Sequence, residues 1–202
     1  MKAIPAIRSS IVVTSLLTLS ALTCQTVSIQ PTATVIPTTP RPEPTSTPDC
    51  HRYDYLQEFD KEASCYEEWA AAEPGSFEVW SQLGRIYANQ HRYEEALEAK
   101  FTALELTTDP DDKGWTYVSI GVNYYNLERY PGAIDYLHRG LAVPGISTTT
   151  EAQLRVWLAW SYEAYEEYDD ACSQFREALE VAQQADYEWA VNQANEGLSR
   201  CQ

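Results

Sequence analysis

The chain has 202 residues, of which 44% are hydrophobic and 12% aromatic, so it has enough apolar side chains for the core of one domain. The formal net charge of −16 argues against binding to nucleic-acid phosphates or to anionic lipid, because both need clustered lysines and arginines. No apolar run reaches the roughly 20 residues that a membrane-spanning helix requires.

Residues 1–24 have the pattern of an export signal. Two basic residues precede an apolar stretch from Ile11 to Leu22, and Cys24 follows it. The segment resembles the signal of bacterial lipoproteins, in which the cysteine after the cleavage site is lipidated. This resemblance implies lipidation at Cys24, although Thr23 departs from the family's usual Gly or Ala at that place. Cleavage followed by secretion is the alternative.

Residues 25–49 are expected to form a tether rich in proline and threonine. They hold six of the chain's 11 prolines: Pro31, Pro37, Pro40, Pro42, Pro44 and Pro48. Proline removes backbone donors and disfavours helix, so this segment should be extended, disordered and solvated. A disordered tail with no anchoring role is the alternative.

Residues 77–184 contain an internal repeat in three copies. Small residues recur at Gly84, Gly121 and Ala159, at intervals of 37 and 38 residues. Four further columns keep the same register, including Tyr87, Tyr124 and Tyr162, and Leu104, Leu141 and Leu179. Each copy has two apolar stripes of helical period with a short polar link between them, which predicts a helix hairpin. A hairpin cannot cover its own apolar face, so neighbouring hairpins should stack.

The repeat resembles the tetratricopeptide repeat (TPR), whose pattern is W-x2-L-G-x2-Y followed by A-x3-F. The first copy carries Trp80, Leu83, Gly84, Tyr87 and Ala96, with Lys100 in the aromatic slot; the third carries Leu158, Tyr162, Ala171 and Phe175. The resemblance implies an all-α fold, an α-solenoid of about three TPR-like helix hairpins with a preceding helix and a C-terminal capping helix. Residues 50–76 are then a degenerate N-terminal repeat or cap, with a helix over 59–72, and residues 185–202 are the capping helix.

Three positions are candidate helix N-caps. Ser76 follows a Pro-Gly break, and Asp109 directly precedes Pro110. Thr148 has capping-box spacing to a glutamate three residues later. These signals place helix starts near residues 77, 110 and 149.

Four cysteines remain if Cys24 is lipidated, and an exported chain can oxidise them. Three connectivities are possible for four thiols. Cys172 and Cys201 should lie opposite each other in an antiparallel pair of helices, which predicts Cys172–Cys201 and leaves Cys50–Cys65. Free buried thiols are the alternative.

The sequence gives no sign of catalysis. The three histidines, His51, His91 and His138, fall in unrelated places, and no nucleophile, metal or phosphate-binding motif is present. The acidic run that begins at Asp109 is interpreted as a helix start instead of a calcium loop. We therefore expect a protein that is not an enzyme and has no cofactor and no metal site.

In the TPR family, the first helix of each repeat lines a concave surface, which implies a set of partner-binding residues. The candidates here are Arg85, Asn89, Trp115, Val118, Val122, Tyr125, Asn126 and Trp160. Their apolar and aromatic members should form a floor for a peptide or helix. Arg85 is the only cation expected there, which disfavours the grip on a C-terminal carboxylate that relatives use. A capping helix, a neighbouring turn or a second copy could instead cover this floor.

Together these features predict a non-catalytic protein–protein interaction module that is exported and tethered to the cell envelope. Its partner should be another protein or peptide, and an acidic rim favours a basic or neutral one. No nucleic acid is expected as a partner, and a membrane is expected only through an N-terminal lipid anchor. The alternatives are a self-associating structural solenoid within a larger envelope assembly, and an enzyme or small-molecule binder.

Overall fold

A computed structural model describes residues 49–55 and 58–201, all of them within the unit Glu43–Gln202. The export signal, Cys24 and nearly all of the tether lie outside the described residues. Nine helices and no strands occur in the described part: α1 His51–Tyr55, α2 Phe59–Ala72, α3 Phe77–Asn89, α4 Tyr93–Leu106, α5 Pro110–Asn126, α6 Tyr130–Leu141, α7 Thr148–Ala164, α8 Tyr168–Gln184 and α9 Glu188–Leu198.

The helices form a stack of antiparallel hairpins, α3–α4, α5–α6 and α7–α8. Each helix packs on the next along the chain, and α5 also packs on α7 in the neighbouring hairpin. Helix α2 precedes the first hairpin, and α9 packs on both α7 and α8. The predicted all-α solenoid is confirmed.

The helices of a hairpin approach closely where the repeat has its small residue. A Cβ added to Gly121 would lie 2.5 Å from Leu137 Cγ on the facing helix, so any larger residue would push α5 and α6 apart. In the third hairpin Ala159 takes this place and packs in one buried cluster with Phe175. The recurring small residue therefore sets the crossing distance.

Side chains fix the start of three helices. Ser76 caps α3, and the Asp109 carboxylate caps α5 by accepting from the N–H groups of Asp111 and Asp112. The predicted cap Thr148 is wrong. Ser147 caps α7, because its hydroxyl accepts from the Thr150 N–H at 3.3 Å.

A left-handed residue ends the first helix of every hairpin. His91, Glu128 and Glu166 have φ between 58° and 67°, and they recur at the intervals of the sequence repeat. The residue after each donates its N–H back to the repeat tyrosine, as in Arg92 N–H to Tyr87 O at 2.9 Å. Asp186 makes the equivalent turn between α8 and α9.

Disulfides close both ends of the stack. Cys50 pairs with Cys65 at a Cα–Cα distance of 5.6 Å, and Cys172 pairs with Cys201 at 5.8 Å. The Cys172–Cys201 bond is the one expected from the antiparallel arrangement of α8 and α9, and Cys50–Cys65 is the remaining pair. Among the described helices, none combines the length and apolar character needed to span a membrane.

Candidate functional site

The first helices of the three hairpins line one groove, with a cavity volume of about 290 Å³. The lining side chains follow helical spacing along each helix, so each helix turns one face to the cavity. They are Ser81, Gln82, Gly84, Arg85, Ala88 and Asn89 on α3, Lys100 on α4, Trp115, Val118, Ser119, Val122 and Asn123 on α5, and Gln153 and Trp157 on α7.

Five of the eight candidate partner-binding residues line this cavity. They are Arg85, Asn89, Trp115, Val118 and Val122. Trp115 is 41% exposed, which is high for a tryptophan, while Val118 forms part of the buried floor. The structure thus brings together the α3 and α5 members of the set.

The other three candidates, Tyr125, Asn126 and Trp160, do not line this cavity. The Tyr125 ring packs edge-on against Trp157 at 5.8 Å, and Asn126 is exposed at the end of α5. Trp160 lies between Trp157, at 4.6 Å, and Trp189 on α9, at 6.1 Å. The capping helix therefore packs against this part of the expected floor, while Trp157 is an aromatic lining residue that the sequence pattern did not single out.

Lys100 is the most unusual residue of the groove, because it is buried and comes from a second helix. It is 6% exposed, and its methylene stem packs on Gly84, where an added Cβ would lie 2.9 Å from Lys100 Cγ. The Nζ group donates to Ser81 O at 2.9 Å and to Ser81 Oγ at 3.2 Å. The stem thus occupies the aromatic slot of the tetratricopeptide pattern, and Lys100 lines the cavity.

Burial lowers the pKa of Lys100 to about 8, because the charged form loses water around it. The nearby charge of Arg85 lowers this pKa further, and Glu78 acts in the opposite direction. The expectation that Arg85 is the only cation on this surface is therefore wrong. The groove has two cations close enough to affect each other.

Arg85 is held by partners on α2 and α3. Its Nη2 lies 3.4 Å from Glu62 Oε1, and its Nε donates to Gln82 Oε1 at 2.8 Å. Glu62 is 2% exposed, whereas 40% of the Arg85 side chain is exposed, so the ion pair is buried only at its glutamate end. The guanidinium is consequently fixed at the rim.

Asn123 adds a polar atom without a partner. The residue is 1% exposed, and its Oδ1 is buried with no hydrogen-bond partner among the described residues. A buried acceptor left unsatisfied costs about 1–3 kcal/mol. Asn123 lines the cavity, but its Oδ1 atom is itself buried, so this acceptor is not open to the groove.

A second cavity, of about 260 Å³, lies at the C-terminal end beside the Cys172–Cys201 disulfide. Arg200 crosses it to Glu163 with two bonds of 2.7 and 2.8 Å, and Phe175 forms part of the wall. This ion pair joins the end of α9 to α7 across the cavity, so we interpret the cavity as part of the contact between α7, α8 and α9.

The described residues hold no group of three or more His, Cys, Asp or Glu side chains suited to a metal ion. Each histidine is within hydrogen-bonding distance of a tyrosine hydroxyl: His51 with Tyr66, His91 with Tyr93, and His138 with Tyr162. None of these pairs touches the groove.

Comparison with known proteins finds the same repeat. Residues 65–98, from the middle of α2 into α4, match the family model described as tetratricopeptide repeat. The peroxisomal targeting signal receptor of Candida albicans is 33% identical over 101 residues, which are 46% of this chain and 16% of that protein. Outer dynein arm-docking complex subunit 4 of Xenopus laevis is 29% identical over 129 residues, which are 63% of this chain and 24% of that protein.

This chain therefore spans a quarter or less of the length of these two curated relatives. Among solved structures, the crystal structure of MamA superimposes with a TM-score of 0.58 at 18% identity, covering 76% of this chain and 92% of that chain. At that identity the likeness concerns the fold. The matched segment thus shows a tetratricopeptide repeat over residues 65–98, and the shared fold is an α-solenoid.

Proposed function

We propose that this protein is a non-catalytic interaction module that binds a peptide or helix of another protein in the groove between α3, α5 and α7. The observation that carries the proposal is the cavity itself, which combines an exposed Trp115 with two nearby cations, Lys100 and Arg85. Apolar pockets with a few convergent polar groups are the usual form of binding sites.

The curated relatives support a binding role. One is named as a receptor for a targeting signal and the other as a subunit of a docking complex. Both names refer to recognition or docking, and each protein aligns with part of this chain. We infer the same general role here, with a different partner chosen by the side chains of this groove.

An enrichment experiment with random peptides tests the groove. The full chain is used to select binders from a displayed peptide library, and the enriched peptides are titrated against variants. Trp115→Ala should weaken binding at least about tenfold, because an exposed tryptophan in a groove is a typical energetic hot spot. Phe59→Ala is the matched control, since Phe59 is 44% exposed and lies on α2 away from the groove.

Equal binding by the wild type and Trp115→Ala would reject the groove as the binding site. Sedimentation equilibrium of the same proteins tests the structural alternative. A dimer that Trp115→Ala dissociates would mean that the groove serves self-association and would replace the proposal of a foreign partner.

Export and tethering to the envelope are the second part of the proposal. Support comes from the signal-like residues 1–24 and from the two disulfides, since disulfides persist mainly in oxidising compartments. Fractionation of cells that express the wild type or Cys24→Ala tests the anchor. We expect the wild type in the membrane fraction and the variant out of it, and an unchanged distribution would reject lipidation at Cys24.

A further inference from the structure

The Lys100 ammonium has one donor to spare. It carries three N–H groups, and Ser81 O and Ser81 Oγ accept two of them. Across residues 49–55 and 58–201, no carboxylate lies within 4.0 Å of Nζ, although the chain has 30 acidic side chains. A buried cation without a partner carboxylate is rare, because charges are buried at a cost unless they are paired.

The charges at this end of the groove also favour an anion. Burial lowers the pKa of Lys100, and the nearby charge of Arg85 lowers it further. Glu62 is the one described carboxylate in ion-pair contact with either cation. A second carboxylate near Lys100 would offset the repulsion between the two cations. This end of the groove therefore favours an acidic ligand group, although the chain as a whole is acidic and would repel one.

We propose that the groove binds a peptide through a glutamate side chain, whose carboxylate accepts from Lys100 Nζ. This inference rests on the proposed function and specifies its ligand. The expectation of a basic or neutral partner is replaced at this subsite, because Lys100 was not assigned to the groove from the sequence. Apolar neighbours of the glutamate would pack on Trp115 and Trp157.

The depth of Lys100 favours a side-chain carboxylate over a C-terminal one. Only 6% of Lys100 is exposed, so a carboxylate must reach Nζ on a narrow stem. Glutamate has such a stem, whereas a terminal carboxylate is attached directly to the backbone beside the last side chain. The peptide backbone can then remain at the level of the Trp115 ring.

Titration of the full chain with three short peptides tests the inference. The first is blocked at both ends and has a glutamate between two leucines, the second has glutamine in place of glutamate, and the third has glutamine and a free C-terminus. At 0.15 M salt, charges more than about 8 Å apart are largely screened, which limits repulsion by the rest of the acidic chain. We expect the glutamate peptide to bind about tenfold or more tightly than the other two, as for charge-assisted hydrogen bonds.

Lys100→Met should remove this preference, because it keeps the stem on Gly84 and deletes the ammonium. Lys61→Met is the matched control, since it deletes one positive charge at an exposed site on α2. Should Lys100→Met fail to fold, pH gives the same test in the wild type. Lys100 loses its proton as the pH rises through about 8, so the preference for glutamate should be present at pH 7 and largely lost by pH 9.5.

The outcomes separate this inference from the proposed function. Equal binding of the glutamate and glutamine peptides, with both lost in Trp115→Ala, would overturn the glutamate subsite and leave the groove in place. Tighter binding of the peptide with the free C-terminus would overturn the assignment to a side chain. A glutamate preference that Lys100→Met or high pH leaves unchanged would overturn the role of Lys100. Peptide binding that Trp115→Ala does not affect would instead reject the groove itself.

Discussion

Replacing Phe175 with alanine should lower the free energy of unfolding by about 3–5 kcal/mol, the usual cost of deleting a buried aromatic ring. Phe175 is 1% exposed and packs with Ala159 and Ala171 between α7 and α8. Its ring also touches α9, because a Cβ added to Gly197 would lie 2.4 Å from it. The ring therefore joins three helices, and its loss leaves a cavity that they cannot close easily.

Urea denaturation followed by far-ultraviolet circular dichroism measures this effect. Phe59→Ala is the control on an exposed phenylalanine and should change the free energy of unfolding by no more than about 0.5 kcal/mol. A loss below about 1 kcal/mol for Phe175→Ala would contradict the packing of α9 against the last hairpin.

Removing the disulfide at the C-terminal end should cost about 3–4 kcal/mol. The bond joins residues 29 apart in the sequence, and chain-entropy arguments relate its effect to the length of the closed loop. The Cys172→Ala/Cys201→Ala double variant tests this value in the same denaturation experiment. The Cys50–Cys65 bond closes a shorter segment of 15 residues, so its removal should cost somewhat less, about 3 kcal/mol.

Reductant provides the control for this prediction. It should lower the stability of the wild type at least to that of the double variant and should destabilise the double variant less, because only the Cys50–Cys65 bond remains there. Wild-type stability that neither reductant nor the double substitution changes would mean that the ends of the stack are held by packing alone.

The repeat architecture could be predicted because its cause is local and periodic. Small residues at Gly84, Gly121 and Ala159, flanked by apolar stripes, indicate close helix crossings without knowledge of long-range contacts. The turns between the helices were harder to predict from the sequence. His91, Glu128 and Glu166 adopt a left-handed conformation although none is glycine or asparagine, so their type does not reveal the turn, and only their spacing does.

The prediction of helix caps is limited in the same way, because residue type alone does not always identify the capping residue. Asp109 is identified by the proline that follows it, and Ser76 by the preceding Pro-Gly break. At the start of α7, Ser147 stands before three threonines, so several hydroxyls compete for the position. The choice depends on which residue leaves the helical backbone conformation, and Asp111 decides it by accepting from the Ser147 N–H at 2.6 Å.

The groove was predictable where it depends on helix faces, and not where it depends on packing between repeats. Arg85, Trp115 and Val122 follow from the position of α3 and α5 in the stack. Trp160 does not line the cavity because Trp189 on α9 packs against it, a contact between helices that periodicity does not specify. Lys100 was missed because a lysine on a second helix normally points to solvent, whereas here Gly84 leaves room for its stem to cross beneath α3.

The most direct test of the central claim, that the partner binds in the groove of the first helices, is a map of backbone amide shifts on titration with a bound peptide. We predict that the largest amide shift changes fall on α3, α5 and α7, around Arg85, Trp115 and Trp157. On α4, the largest change should be at Lys100. Largest changes on the acidic turn at residues 165–170, or on α9, with the groove residues unchanged, would contradict the account.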